Sequence, residues 1–340
     1  MKILNKELNQ RFVKDVRVPI GVFVEPYFSH KLALFETLYA NLREKYNEFV
    51  TAVQSYDHTG SDNGQPYMEH YNYVKDSIIN TVLESEGYNR LQSENMNNYA
   101  VPQEFRNLSS KSIFKSDNTE RQFLSIDLRK ANFQAMRNYD PAIFNGHRTW
   151  EDFVRQFTDC EHIINSKYIR EATMGKCNPK RHIALEQHMM CDILTILIDV
   201  AKEKISSIDI LSHVSSFNHD EIIFDVTDMP WMKDEMLRNI TFDTIGSALK
   251  DFEVHIEWFT LYYIKEIDGY VEVGVNEDKQ NFITTKSVNN FMMPFLIRAL
   301  KNEPTEENDL VFVHPNHNML AKFIDTPDIV LPDIDWSQYI

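Results

Sequence analysis

Phe123-Leu-Ser-Ile-Asp-Leu-Arg-Lys-Ala-Asn-Phe-Gln-Ala-Met-Arg137 is the stretch on which the fold turns. Its first six residues alternate, with Leu124, Ile126 and Leu128 on one side and Phe123, Ser125 and Asp127 on the other, which predicts a short strand. Arg129 to Arg137 then holds good helix formers up to Asp140-Pro141, so a helix leaves the strand end directly. A carboxylate at such a junction, Asp127, is placed to face a cleft.

Downstream, Ser207 to Val226 reads as a hairpin. Ile208, Ile210, Val214 and Phe217 precede a polar turn, Asn218-His219-Asp220-Glu221, and Ile222 to Val226 follow it. A second hairpin is expected from Val254 to Ile267 and Tyr270 to Val275, joined at Asp268-Gly269. Between the hairpin and the first strand, Pro179 opens a long helix to about Lys204, whose Ile183, Leu185, Met189, Met190, Ile193, Leu194, Leu197 and Ile198 predict a buried face. The end of the chain predicts a helix from Val288 to Leu300, a strand from Leu310 to Val313 and an acidic tail.

Upstream of Arg121 the pattern is helical. Leu32, Phe35, Leu38, Tyr39, Leu42, Tyr46 and Val50 recur at three- and four-residue spacings and predict one amphipathic helix from Ser29 to Val53. Tyr56 to Gln65 breaks it, and a second helix covers Met68 to Leu83. The Asn- and Ser-rich stretch up to Lys115 is the expected linker or mobile loop. The fold class is therefore α+β, with a mainly helical region over 1-115 and a sheet-containing domain over 116-340 that carries a helical insertion at about 145-205.

Composition narrows the function. The 340 residues are 43% hydrophobic and 25% charged, as in globular proteins. No apolar run approaches a bilayer span, and Met-Lys-Ile-Leu-Asn-Lys-Glu at the start has no secretory apolar stretch, so a cytoplasmic protein without membrane contact is expected. Three cysteines, none spaced Cys-x-x-Cys, predict free thiols rather than a redox motif or zinc site. Nine glycines form no Gly-x-Gly-x-x-Gly, phosphate loop or nucleophile elbow. His182, Glu186 and His188 share a helix without the His-Glu-x-x-His spacing of a zinc protease, and His314 and His317 predict a loop.

The net charge is -16. Against it, Lys167 to Arg181 holds five basic residues and one acid, whereas Glu303 to the end holds eight acids and one lysine. A positive segment inside an acidic chain predicts a confined anion site. Asp127 and Asp220 at neighbouring strand ends would suit two divalent ions about 4 Å apart, the arrangement that supports nucleotidyl transfer.

The segment Phe123 to Arg137 resembles motif A of the family A nucleic-acid polymerases, and Ser216-Phe-Asn-His-Asp-Glu-Ile-Ile-Phe-Asp-Val226 resembles their motif C. Asn178-Pro179 and the helix to Ile193 are similar to the helix that precedes motif C. The resemblance implies a polymerase-palm-like antiparallel sheet with reduced fingers. It implies two magnesium ions, with manganese as a substitute, on Asp127 and Asp220, and a catalytic set of Asp127, Asp220 and Glu221. Arg129, Lys130, Asn132, Arg170, Lys176, Lys180, Arg181 and His219 would then meet nucleic acid and nucleoside triphosphate. Asn132 stands where the family carries Glu, and Met174-Gly175 does not complete the fingers signature. The expected activity is metal-dependent joining of a 3′-hydroxyl to a nucleoside triphosphate, in a viral or phage setting and alongside replication proteins. A two-metal nuclease and a catalytically silent palm-like accessory protein are the alternatives.

Overall fold

A computed structural model describes residues 2–57, 64–204, 209–317 and 319–340. The chain is α+β, a helical N-terminal region followed by a six-stranded antiparallel sheet. The helices of the first region are α1 (Lys6–Val16), α2 (Tyr27–Phe35), α3 (Leu42–Tyr56), α4 (Gln65–Glu84) and α5 (Glu86–Ser93). Strand β1 (Gln122–Leu128) follows, then α6 (Ala131–Tyr139), α7 (Trp150–Val154), α8 (Glu161–Ile164), α9 (Lys167–Lys176) and α10 (Pro179–Lys204). The hairpin β2 (Val214–Phe217) and β3 (Glu221–Asp225) leads into α11 (Pro230–Lys233) and α12 (Glu235–Ala248). Next come β4 (Val254–Ile264), β5 (Gly269–Asn276) and β6 (Asn281–Lys286), then α13 (Met293–Leu300), with β7 (Val311–Val313) and β8 (Leu320–Lys322) as a separate small ribbon.

The sheet order β2-β3-β1-β4-β5-β6 places the two segments singled out in the sequence side by side. From β1 to β4 the chain runs strand, helices, two strands, two helices, strand, and β1 ends between β3 and β4. This is a split β-α-β arrangement, extended by the β5 and β6 edge. The alternation in β1 explains why the sheet has two unlike faces. Leu124, Ile126 and Leu128 join Ile222, Phe224 and Ile256 in the large core shared with α6, α10 and α12. That core also takes Phe12, Phe28, Tyr46, Phe49 and Val74, so the N-terminal helices and this face of the sheet are one hydrophobic body. On the opposite face Phe123, Ile223, Phe259, Leu261 and Tyr270 form a smaller apolar patch with Ile113. The same face turns acidic toward the end of β1.

Several local expectations change. The stripe from Ser29 to Val53 belongs to two helices, because Asn41 adopts a left-handed conformation (φ 59°) between them, one that Asn tolerates better than most residues. Leu38 and Tyr39 stay packed against the core from the intervening turn. The stretch before Lys115 is no loose connection. It contains α5, and Leu91, Phe105 and Ile113 are buried. Strand β2 begins at Val214, with Ile210 in the preceding turn, and Ile208 lies outside the described residues, as does most of the Tyr56 to Gln65 break. Along α10 the predicted face is buried except at Ile198, which is partly buried, and Ile183, which is exposed. The acidic tail packs back through Trp336, which sits with Val271, Val273 and Phe295. Cys177 and Cys191 are buried free thiols, and Cys160 is a half-buried one. Among the described residues no helix is long and apolar enough to cross a membrane.

Candidate active site

The end of β1 is fixed from both sides. Leu128 donates its amide to the Asp220 carbonyl at 2.8 Å, which ties the β2–β3 turn to the strand end. Arg129 donates its amide to the Glu253 carbonyl at 2.8 Å, which ties the start of β4 to the same point. The fully buried Gln134 of α6 completes the joint, accepting from Glu253 N at 3.0 Å and donating to Glu253 O at 2.7 Å. The strand-to-helix junction that carries Asp127 is therefore held by backbone hydrogen bonds to two other elements.

In this frame Asp127 is the cross-strand partner of Glu221 on β3 and of His255 on β4, and Ser125 is the partner of Glu257. Burial pushes the Asp127 carboxyl up to about 7, and the Glu221 and Asp220 charges push in the same direction. Glu221 is also raised, by burial, although Ser125 Oγ donates to its Oε1 at 2.7 Å. Glu272 of β5, buried on this face, rises to about 7 through burial, with Lys286 Nζ at 3.7 Å opposing the shift. His255 is held between Glu257 and Glu277 at 2.9 and 2.8 Å, and these hydrogen bonds, the Glu257 bond foremost, raise its imidazole to about 9.

A partly buried carboxylate raised by burial and by the charges of two neighbouring carboxylates, as Asp127 is by Glu221 and Asp220, is a natural cation site, because a divalent ion would relieve the repulsion. Among the described residues no three His, Cys, Asp or Glu side chains are grouped tightly enough to hold a metal ion on their own. The oxygen donors of Asp127 and Asp220 nevertheless fit magnesium, which usually takes one or two carboxylates and completes its shell with water and phosphate oxygens.

Cations face this acidic end. Lys167, in the first turn of α9, is lowered by burial and then by Arg170, Arg17 and Lys286, while Asp127 acts to raise it. Arg170 is likewise lowered by burial, but the carboxylate that acts on it is Glu151 of α7, and its Nε has no hydrogen-bond partner among the described residues. The helix start is anchored deep in the N-terminal region. Ser166 caps α9 by accepting from Ile169 N, and it donates to the buried Asp15 at 2.7 Å. Asp15 also binds Arg11, Tyr71 and His162.

The sequence-derived set is thus only partly assembled. Asp127, Asp220 and Glu221 come together, and His219 lies beside Asp220, its Nε2 3.7 Å from Asp220 Oδ1. Arg129 is at the same strand end but engages Glu277 and the Val254 carbonyl. Lys130 pairs with Glu151 of α7 at 2.6 Å, and Asn132 turns its side chain onto the Phe133 amide at 2.9 Å. Lys176 and Lys180 are exposed at the end of α9 and the start of α10. Arg181 donates to the carbonyls of Leu91 and Glu94 at 2.7 and 2.8 Å, so its guanidinium closes the end of α5. The structure adds His255, Glu257, Glu272, Glu277, Lys286 and Lys167. Of these only Lys167 left a trace in the sequence, as a member of the basic cluster. Compared with protein-family models, with curated proteins and with solved structures, the chain matches none of them.

Proposed function

We propose that this chain is a compact metal-dependent nucleotidyltransferase, with a polymerase-palm-like sheet, that joins a 3′-hydroxyl to a nucleoside triphosphate. The observation that carries the reading is the convergence of Asp127 and Asp220 at one strand end, where burial and mutual repulsion raise Asp127 to about 7. The split β-α-β topology, the carboxylates gathered at the end of β1 and the charge interaction of Lys167 with Asp127 support it.

In this reading Asp127 and Asp220 hold magnesium, which when bound lowers the cost of ionising the attacking hydroxyl and of gathering negative charge on the phosphates. Lys167, Arg170 and Lys286 draw the triphosphate toward the carboxylates and offset the charge that develops on the departing pyrophosphate. The hydroxyl oxygen gives up its proton to solvent water as it bonds to the α-phosphorus, the bond from that phosphorus to the bridging oxygen breaks, and pyrophosphate leaves. Glu221, whose Oε1 accepts from Ser125 Oγ at 2.7 Å, adds a further carboxylate opposite Asp127.

The test is nucleotide incorporation on primed and unprimed DNA and RNA with magnesium or manganese. Incorporation by wild type that is abolished in Asp127→Asn and in Asp220→Asn, with both variants folded, supports the proposal. Equal behaviour of the three proteins overturns it. Strand cleavage without nucleotides would instead identify a two-metal nuclease, and neither activity would leave the silent accessory reading.

A further inference from the structure

Lys31 lies on the core side of α2 and is only 4% exposed. Its Nζ donates one hydrogen bond, to the Asp309 carbonyl at 2.9 Å. An ammonium has three N–H donors. Two are therefore left without an acceptor among the described residues, and none of these residues brings a carboxylate within ion-pair distance of Nζ. The Asp309 side chain is engaged elsewhere: Oδ1 lies 2.6 Å from His30 Nε2, and Oδ2 accepts from Arg298 Nε and from the Glu306 amide at 2.9 Å each. Burial brings the Lys31 ammonium down to about 8 from 10.5; the Arg298 charge adds to this and the Asp309 charge only partly opposes it. A cation this deep is costly unless its donors find acceptors.

Lys31 lines a cavity of about 410 Å³ between the segment 20–22, α2, the turn 288–291 and β7. That size falls within the roughly 300 to 1,000 Å³ of small-molecule pockets. The inner wall is apolar, with Val22, Phe35 and Val311 buried, while the exposed Asn289 and Asn290 form the outer rim. Among the described residues that line it, Lys31 is the one that carries a charge. An apolar cavity with a single under-partnered cation at its buried end matches a ligand with an apolar body and one negative charge.

We infer that this cavity binds a small organic monocarboxylate, whose carboxylate accepts from Lys31 Nζ and whose apolar body lies against Phe35 and Val311. A phosphate dianion would bring more charge into the apolar wall than one ammonium answers, and an uncharged molecule would leave the ammonium without a counter-ion. None of the lining residues belongs to the Asp127–Asp220 cleft, so the inference stands apart from the nucleotidyl-transfer reading.

Calorimetric titration of the full chain with 2-naphthoate and with decanoate tests it, against 2-naphthamide, which lacks the charge, and acetate, which lacks the body. At pH 7 at least one of the two larger carboxylates should bind roughly tenfold or more tighter than the amide and than acetate, the scale of a charge-assisted hydrogen bond together with apolar burial. Lys31→Met keeps the apolar stem and removes the charge, so the preference for naphthoate over its amide should vanish. Should that variant not fold, the wild-type pH series decides. Asp309 is held below the usual carboxylate range by its His30, Glu306 and Arg298 hydrogen bonds, and Arg298 is held above its own ordinary value by Asp309, Glu303 and Glu306, so neither changes charge between pH 7 and 9. His30, Glu303 and Glu306 contact that pair rather than Lys31. Over that interval the charged fraction of Lys31 falls about tenfold, and carboxylate affinity should fall with it while amide affinity stays level.

Carboxylate binding that is lost in Lys31→Met, or that declines through pH 8 in wild type, supports the inference. Binding of neither larger carboxylate, equal binding of naphthoate and its amide, equal binding of acetate, or an affinity indifferent to both the substitution and the pH overturns it.

Discussion

Glu221 stands directly opposite Asp127 across the β1–β3 pair, so two acids meet where a sheet normally avoids like charges. Asp127 sits at about 7 in the folded chain because burial and the Glu221 and Asp220 charges disfavour its ionised form, against 3.8 for a free group. The folded state thus binds a proton that the unfolded state releases between these values, and stability falls as pH rises through that window.

Asp127→Asn should consequently raise the melting temperature at pH 8, by about 1 to 3 °C if a fraction of the repulsion is recovered. The gain should shrink steadily toward pH 4, where the wild-type carboxyl is protonated anyway. Magnesium should raise the wild-type midpoint at pH 8 and leave the variant unmoved. Thermal melts at several pH values check this, and a pH-independent effect would show that the carboxylates do not crowd one another.

His255 has the opposite sign. Its hydrogen bonds to Glu257 and Glu277 raise it to about 9 from 6.5, so the stability it contributes is complete below about 6.5 and is lost as pH rises through 9. His255→Gln should destabilise the protein at pH 6 and make little difference at pH 10. Urea unfolding at the two pH values measures the change, and an equal loss at both would mean that the ring matters for packing rather than charge.

Gly274 shows how closely β4 and β5 approach. A Cβ there would lie 1.9 Å from the Trp258 carbonyl oxygen and 2.7 Å from the Phe259 Cα, both backbone atoms that cannot swing aside. Gly274→Ala should cost at least about 1 to 3 kcal/mol in urea unfolding. Gly246, within α12, has nothing within 4 Å of the same position, and Gly246→Ala should stabilise by about 0.5 to 1 kcal/mol. If the two substitutions behaved alike, the close strand approach would be wrong.

The parts of the fold that sequence reveals here are those with a strong local period. Phe123 to Leu128 alternates because its two sides meet different cores, and the Asn218 to Glu221 turn is marked by residues that favour turns. Asp127, Asp220 and Glu221 were accessible for that reason. Glu257, Glu272, His255 and Lys286 were not, because they reach the site through the order of β4, β5 and β6 in the sheet, and nothing in a strand's own residues states its neighbours. The α2–α3 break was hidden for a related reason. Leu38 and Tyr39 keep the spacing of a helix while packing from a turn, so the apolar period continues where the hydrogen bonding does not.

Charge counting has the same blind spot, which Lys167 and Arg181 expose from the two ends of one basic segment. Arg181 donates from one guanidinium nitrogen to the Leu91 and Glu94 carbonyls, a task internal to the fold. Lys167 sits among Arg170, Arg17 and Lys286, cations that lower its proton affinity after burial and that an anion would relieve. Lys167→Met should therefore weaken nucleoside triphosphate binding by roughly tenfold, the scale of one charge-assisted contact, while leaving the melting temperature close to wild type. Arg181→Met should do the reverse, lowering stability by about 1 to 3 kcal/mol as two carbonyls lose their donor, with nucleotide affinity preserved. Calorimetric titration and thermal melts on both variants measure the four quantities. If Arg181→Met weakens binding as much as Lys167→Met does, the anion site runs along the whole basic segment rather than gathering at the start of α9.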